Sequence, residues 1–126
     1  MTAADFQRYI DAFNRGDYAG CREFYAPDVV LVQAGGRRLE GPAAIVAFYE
    51  SLAGKLARQI AVRRVIPGDD ALAAELESTF TALQDLPDVL SVPLKAGQSH
   101  HHVSFAIYEL RRGRFTRIRA ALYRGG

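Results

Sequence analysis

The stretch from Asp5 to Leu31, DFQRYIDAFNRGDYAGCREFYAPDVVL, limits what this chain can fold into. Phe6, Tyr9, Ile10 and Phe13 recur at the spacing that gathers apolar side chains on one face of a helix. Thr2 or Asp5 can cap its start, and an acid in the first turn suits the helix dipole. Asn14-Arg15-Gly16-Asp17 ends it: Gly16 can take the left-handed conformation of a helix C-terminus, and Asp17 can cap a second, short helix over about Tyr18 to Tyr25. Pro27 disfavours helix at Ala26, and the apolar, β-branched run Asp28–Gln33 reads as a strand. Phe24 and Tyr25 add to the aromatic stripe. Such a surface needs a concave apolar partner, and the rest of the chain reads as the curved sheet that supplies it.

Ala34-Gly35-Gly36-Arg37-Arg38 is a hairpin turn and Leu39-Glu40 its return. Gly41-Pro42-Ala43-Ala44 opens a third helix, with Pro42 in the first turn, where its missing N–H costs nothing. Ile45, Phe48, Tyr49, Leu52 and Leu56 form its stripe, and it is expected to fray near Gly54 or end around Arg58. From Ile60 the pattern is that of strands: Ile60–Ile66, a turn at Pro67–Asp70, then Ala71–Leu83. An irregular segment, Gln84–Gly97, precedes a last hairpin of His100–Leu110 and Arg114–Tyr123. Helices first and a long antiparallel run afterwards predict an α+β domain. With 126 residues, 49% apolar and 24% charged, the expectation is one domain over residues 1–126.

The formal net charge is only +2, and the nearest thing to a basic cluster, Arg111 to Arg124, flanks a hairpin turn. Nucleic-acid or membrane binding would want a continuous basic face interleaved with aromatics, so neither partner is expected. The single cysteine, Cys21, permits no disulfide within the chain and reads as a small buried thiol rather than a nucleophile. No apolar run resembles a signal peptide or approaches the roughly 20 residues of a membrane span, so a cytoplasmic location is expected. Gly-rich phosphate loops, a Ser-His-Asp order and Cys-rich metal spacing are missing, so no cofactor and no metal are expected.

Three groups of residues could carry chemistry. Tyr9, Tyr25 and Tyr49 could form a hydroxyl network at the base of a cavity, where a desolvated donor stabilises a developing oxyanion; equally, each ring could simply pack in the core. Glu75 and Glu77 share one face of a strand, and Leu76, Ser78 and Phe80 the other. If the Leu76 face is inward the glutamates are solvent or interface residues, which is the favoured reading. In the opposite register Glu75 is a desolvated carboxylate suited to general-base work. In His100-His101-His102 alternation puts His100 and His102 on one face, followed by Ser104, Ala106 and Tyr108. His102 is the candidate acid–base, whereas His100 and His101 read as partly exposed strand-end residues. A metal held by His100, His102 and Asp85 or Asp88 has too weak a signature to be expected. The Gln84–Gly97 segment could cover a cavity mouth or pack on a second copy.

Gln7-Arg8-Tyr9-Ile10-Asp11-Ala12-Phe13-Asn14-Arg15-Gly16-Asp17, Gly41-Pro42-Ala43-Ala44-Ile45-Val46-Ala47-Phe48-Tyr49 and Ile118-Arg119-Ala120-Ala121-Leu122-Tyr123 resemble the nuclear transport factor 2-like superfamily, in its SnoaL-like and ketosteroid isomerase-like branch. The resemblance implies a cone-shaped α+β barrel, with three N-terminal helices packed in a strongly curved antiparallel or mixed sheet around an apolar cavity. It also implies a homodimer through the outer sheet face. Tyr9 matches the tyrosine that holds a dienolate oxygen in the isomerases, with Tyr25 and Tyr49 behind it. The proton-shuttling aspartate falls at Gln33 and the oxyanion acid near Ala106, so neither isomerase acid is retained.

The implied site has Tyr9, His102 and Glu75 as candidates for catalysis. Phe13, Tyr25, Gln33, Phe48 and Tyr49 are expected to contact ligand from the first half of the chain. Leu52 is expected to do so from the third helix, and Phe80, Ile118 and Leu122 from the strands. The expected function is binding of a small, mostly apolar carbonyl compound, with proton transfer of isomerase, cyclase or dehydratase type. The alternative is a non-catalytic dimerisation or protein-interaction module. A hydrolase resembling limonene epoxide hydrolase needs an Asp-Arg-Asp set that the final strands cannot supply.

Overall fold

The computed structural model describes residues 1–87 and 93–123. Helix α1 (Ala3–Asn14) is closed at its start by a reciprocal cap: the Asp5 N–H donates to Thr2 Oγ1 at 3.0 Å, and the Thr2 N–H donates to Asp5 Oδ2 at 2.9 Å. It ends where expected. Gly16 takes φ +75°, and the Asp17 N–H donates back to the Ala12 carbonyl at 3.0 Å. Helix α2 (Tyr18–Cys21) is shorter than the sequence suggests, because Arg22–Phe24 tightens into a 3-10 turn and Tyr25 already belongs to strand β1 (Tyr25–Val32). Pro27 therefore lies inside a strand. It does so where the pairing with the neighbouring strand slips between Tyr25 and Val30, so no ladder N–H is required of it.

Strand β2 (Arg38–Glu40) returns to helix α3 (Pro42–Leu52), and α3 stops before Gly54. Strand β3 begins at once, as Leu56–Ile66, four residues ahead of the expected start at Ile60. Leu56 and Arg58 are thus strand residues, not the tail of a helix. Strands β4 (Ala71–Ala82), β5 (Ser99–Arg111) and β6 (Arg114–Tyr123) complete the chain order.

The three helices lie against one six-stranded mixed sheet of order β2-β1-β6-β5-β4-β3, in which only β1 and β6 run parallel. The α+β architecture is as expected. Alternation decides the faces: Leu72, Ala74, Leu76, Ser78 and Phe80 of β4 are buried, and Ser104, Ala106, Tyr108 and Leu110 of β5 sit on the same inner side. The stripe of α1 covers this face, with Phe6 and Ile10 fully buried. A smaller cluster joins Leu56, Phe80 and Ala82 to Leu86 and Leu94, whose backbones bond each other at 2.7 and 3.0 Å. The two feet of the Gln84–Gly97 segment are therefore anchored beside Phe80; Asp88 lies outside the described residues.

The free edge of β3 meets the end of α1. Asn14 donates through Nδ2 to the Ile60 carbonyl and accepts from the Ile60 N–H, both at 2.9 Å, imitating one rung of a further strand. That amide fixes how α1 lies along β3, and so where the neighbouring Phe13 is held.

Candidate functional site

Between the helices and the inner face of the sheet is a cavity of about 720 Å³. Phe13, Phe48, Phe80 and Leu122 border it without filling it. Its two ends differ in chemistry.

One end is built around Tyr9. The helical spacing of α1 turns this ring between Phe24 and Phe115, at centroid distances of 5.4 and 4.9 Å, and edge-on to Tyr108 at 6.5 Å. Its hydroxyl is 2.9 Å from that of Tyr25, and both rings are buried. Loss of water raises the pKa of Tyr9 well above its ordinary value, with smaller contributions from Tyr25, Tyr108 and Tyr49. Burial likewise raises Tyr25 and Tyr108. All three are neutral hydroxyls near pH 7. When Tyr25 donates to Tyr9, the Tyr9 proton is left to donate to a ligand oxygen.

Of the expected tyrosine network only this pair forms. Tyr25 stands behind Tyr9 and does not line the cavity. Tyr49 does line it, but its ring stacks on Tyr18 at 5.6 Å and edge-on to Phe13 at 4.9 Å, with no hydroxyl bond to Tyr9 or Tyr25. Tyr108, not selected from the sequence, lines the cavity beside Tyr9. The strand alternation that selects His102 also runs through it.

The other end is cationic. Arg58 projects inward from β3, its guanidinium between the rings of Phe13 and Phe80 at 5.3 and 5.0 Å from their centroids. One guanidinium nitrogen donates to Ser78 Oγ at 3.2 Å, while Nε is buried without a hydrogen-bond partner. His102 packs its ring 5.0 Å from Phe80 and 5.9 Å from His100. Burial first, then the charge of Arg58 and of His100, lowers the pKa of His102 and keeps it neutral near pH 7. His100 also lines the cavity instead of sitting at an exposed strand end. His101 points the other way and shares a 3.0 Å hydrogen bond with Thr79. Across the cavity, Arg37 lies over Phe48 at 4.9 Å.

Glu75 is on the outer face of β4, 3.9 Å from Arg63, and Glu77 accepts from the same arginine. The inward register that would make Glu75 a general base is not adopted: Leu76, not Glu75, faces the cavity. No aspartate or glutamate lines the cavity among the described residues. Gln33 and Ala106, the positions of the missing isomerase acids, both do, as do Leu52 and Ile118. Cys21 is buried, and desolvation first, with Asp17 next, pushes its thiol up to about 12, which disables it as a nucleophile. Among the described residues no group of three His, Cys, Asp or Glu could hold a metal, and no helix is long and apolar enough to cross a membrane.

Tyr9 and His102 reach the lining from different places: Tyr9 meets β5 at Tyr108, six residues beyond His102 along the strand.

The sequence model of the SnoaL-like domain matches residues 6–118. No curated protein matches the chain. A solved structure described as a proposed polyketide cyclase from Pseudomonas putida KT2440 is 25% identical, with 99% of this chain and 92% of that one covered and a TM-score of 0.78. A protein of ketosteroid isomerase-like fold from Catenulispora acidiphila, in complex with trimethylamine, is 11% identical over 95% of this chain and 85% of that one, at a TM-score of 0.77. An epoxide hydrolase of the limonene type from M. tuberculosis is 14% identical over 94% and 79%, at 0.75. The last two likenesses are of fold alone.

Proposed function

The chain belongs to the SnoaL-like domain family, and from that premise we propose that it binds a small, mostly apolar carbonyl compound in the cavity, with the Tyr9 hydroxyl donating to the carbonyl oxygen. The observation that carries this reading is the buried Tyr9–Tyr25 pair at the edge of an aromatic-lined cavity. A neutral donor in a dry site, already aimed by a second hydroxyl, loses little on meeting an acceptor. The likeness to a proposed polyketide cyclase supports an oxygenated apolar ligand.

Binding is the primary role in this proposal. Proton transfer of isomerase, cyclase or dehydratase type would fall to His102, the half-buried neutral imidazole. The test is Tyr9→Phe, titrated calorimetrically with the neutral ketone 4-acetylbiphenyl. Loss of one neutral hydrogen bond should weaken binding by about threefold to tenfold. An unchanged affinity takes Tyr9 out of the site, and a wild-type protein that binds no ketone ends the reading.

A second reading, a dimerising module, is favoured by the outer sheet face. There Phe105 and Tyr123, 46% and 49% exposed, lie 5.0 Å apart ring to ring, next to the 40%-exposed Ile107. The two readings are compatible, because the cavity and this patch occupy opposite faces of the sheet.

A further inference from the structure

We infer that the Arg58 end of the cavity is an anion subsite, and that the ligand is an elongated apolar molecule carrying a carboxylate opposite its carbonyl. This rests on the cavity being the ligand site and adds the chemical class of ligand. Arg58 is held between two aromatic faces, and among the described residues its side chain bonds only Ser78, a neutral hydroxyl. Its ion pairs among the described residues number none, whereas Arg63 on the same strand has two carboxylate contacts on the outer face. A half-buried guanidinium held between two rings without a carboxylate partner is expensive and asks for one.

The surroundings sharpen the demand. Ser78 and Phe80 face Arg58 from β4, His100 and His102 from β5, and Phe13 from α1. The phenols of Tyr18 and Tyr49 from the helices, and Arg37 across the cavity from the turn before β2, are further polar side chains of the same lining. Every charge there is positive or can become so. A planar carboxylate matches the guanidinium fork and could also accept from a protonated His102. Tyr9 and Arg58 come from different elements of the lining, and a ligand that meets both carries one polar group toward each, with the aromatic walls between.

The experiment compares two isosteres, biphenyl-4-carboxylate and 4-acetylbiphenyl, by calorimetry with the wild-type chain and with Arg58→Gln. The expected result is a carboxylate bound about tenfold or more tighter than the ketone by the wild type, the factor of a charge-assisted hydrogen bond. In Arg58→Gln that preference should disappear, the ratio of carboxylate to ketone affinity falling to about one. Equal affinities in the wild type overturn the inference and leave the apolar-cavity reading intact. Failure of both compounds to bind overturns the two together.

If Arg58→Gln does not fold, proton linkage in the wild type decides. Carboxylate binding should take up a proton at pH 7 and tighten between pH 8 and pH 6, as His102 becomes protonated beside the anion. The ketone should show neither effect. A carboxylate that binds with no proton uptake and no pH dependence sinks the inference as well.

Discussion

His102 is a histidine that the fold prefers uncharged. Its pKa in the folded chain lies below the ordinary 6.5, chiefly through burial, with Arg58 and His100 adding repulsion. Above pH 6.5 the side chain is neutral whether the chain is folded or not, and its contribution to stability is constant. As pH falls below 6.5 the unfolded chain takes up the proton first, so stability is lost until the folded pKa is passed. We expect the urea midpoint of the wild type to fall between pH 7.5 and pH 5, and His102→Gln to flatten that decline. A variant that declines as steeply as the wild type would clear His102 of the effect. The residue scale was also where the sequence spoke least evenly. Tyr9 and His102 could be placed because each sits in an unbroken periodic run. Glu75 could not, because period-two alternation separates the faces of a strand without saying which is inside.

At the scale of the element, one boundary concealed the most informative residue. Lys55–Arg58 continues the apolar spacing of the preceding helix, and Leu56 falls on its stripe, so the stretch reads as helical. Strand pairing overrides this. Leu56 meets Ala82 and Arg58 meets Phe80 in the antiparallel ladder, and four more residues become strand. Helical periodicity is a local signal, and the partner strand lies some twenty residues away, so no local pattern could reveal Arg58 as an inward-facing cation. Asn14 is the counterpart on the helix. Its amide holds the edge of β3 at Ile60, and the adjacent Phe13 is thereby kept against Arg58. We expect Asn14→Ala to lower stability by about 1–3 kcal/mol in urea unfolding, the cost of leaving a part-buried N–H and C=O unpaired. The same variant should weaken biphenyl-4-carboxylate binding while sparing the Tyr9 end. Wild-type stability in Asn14→Ala would mean that water replaces the amide and that α1 is held by its apolar stripe alone.

The whole molecule presents two faces of one sheet that differ in character, one lining the cavity and one carrying an exposed apolar patch, and the order of its strands relates them. An apolar patch of Phe105, Ile107 and Tyr123 on the outside is the surface on which a second copy would sit. We expect a dimer by light scattering at micromolar concentration and a monomer for Phe105→Glu, which places a carboxylate opposite Glu75 in the ladder. A monomeric wild type would remove the association reading. The general fold was legible at this scale, since a run of helices followed by hairpins leaves few arrangements. The pairing of β1 with β6 was not, because nothing in either strand names its partner. That parallel contact joins Tyr25 to Phe115 and Leu31 to Ile118, early chain to late chain, beneath Tyr9. Its loop must close before the contact returns any energy, and long closures slow folding. The Tyr9 end of the cavity is then complete only once β6 lies beside β1. In a molecule arranged this way, release of the final strand alone would open the Tyr9 end of the cavity while β3 and β4 remained paired.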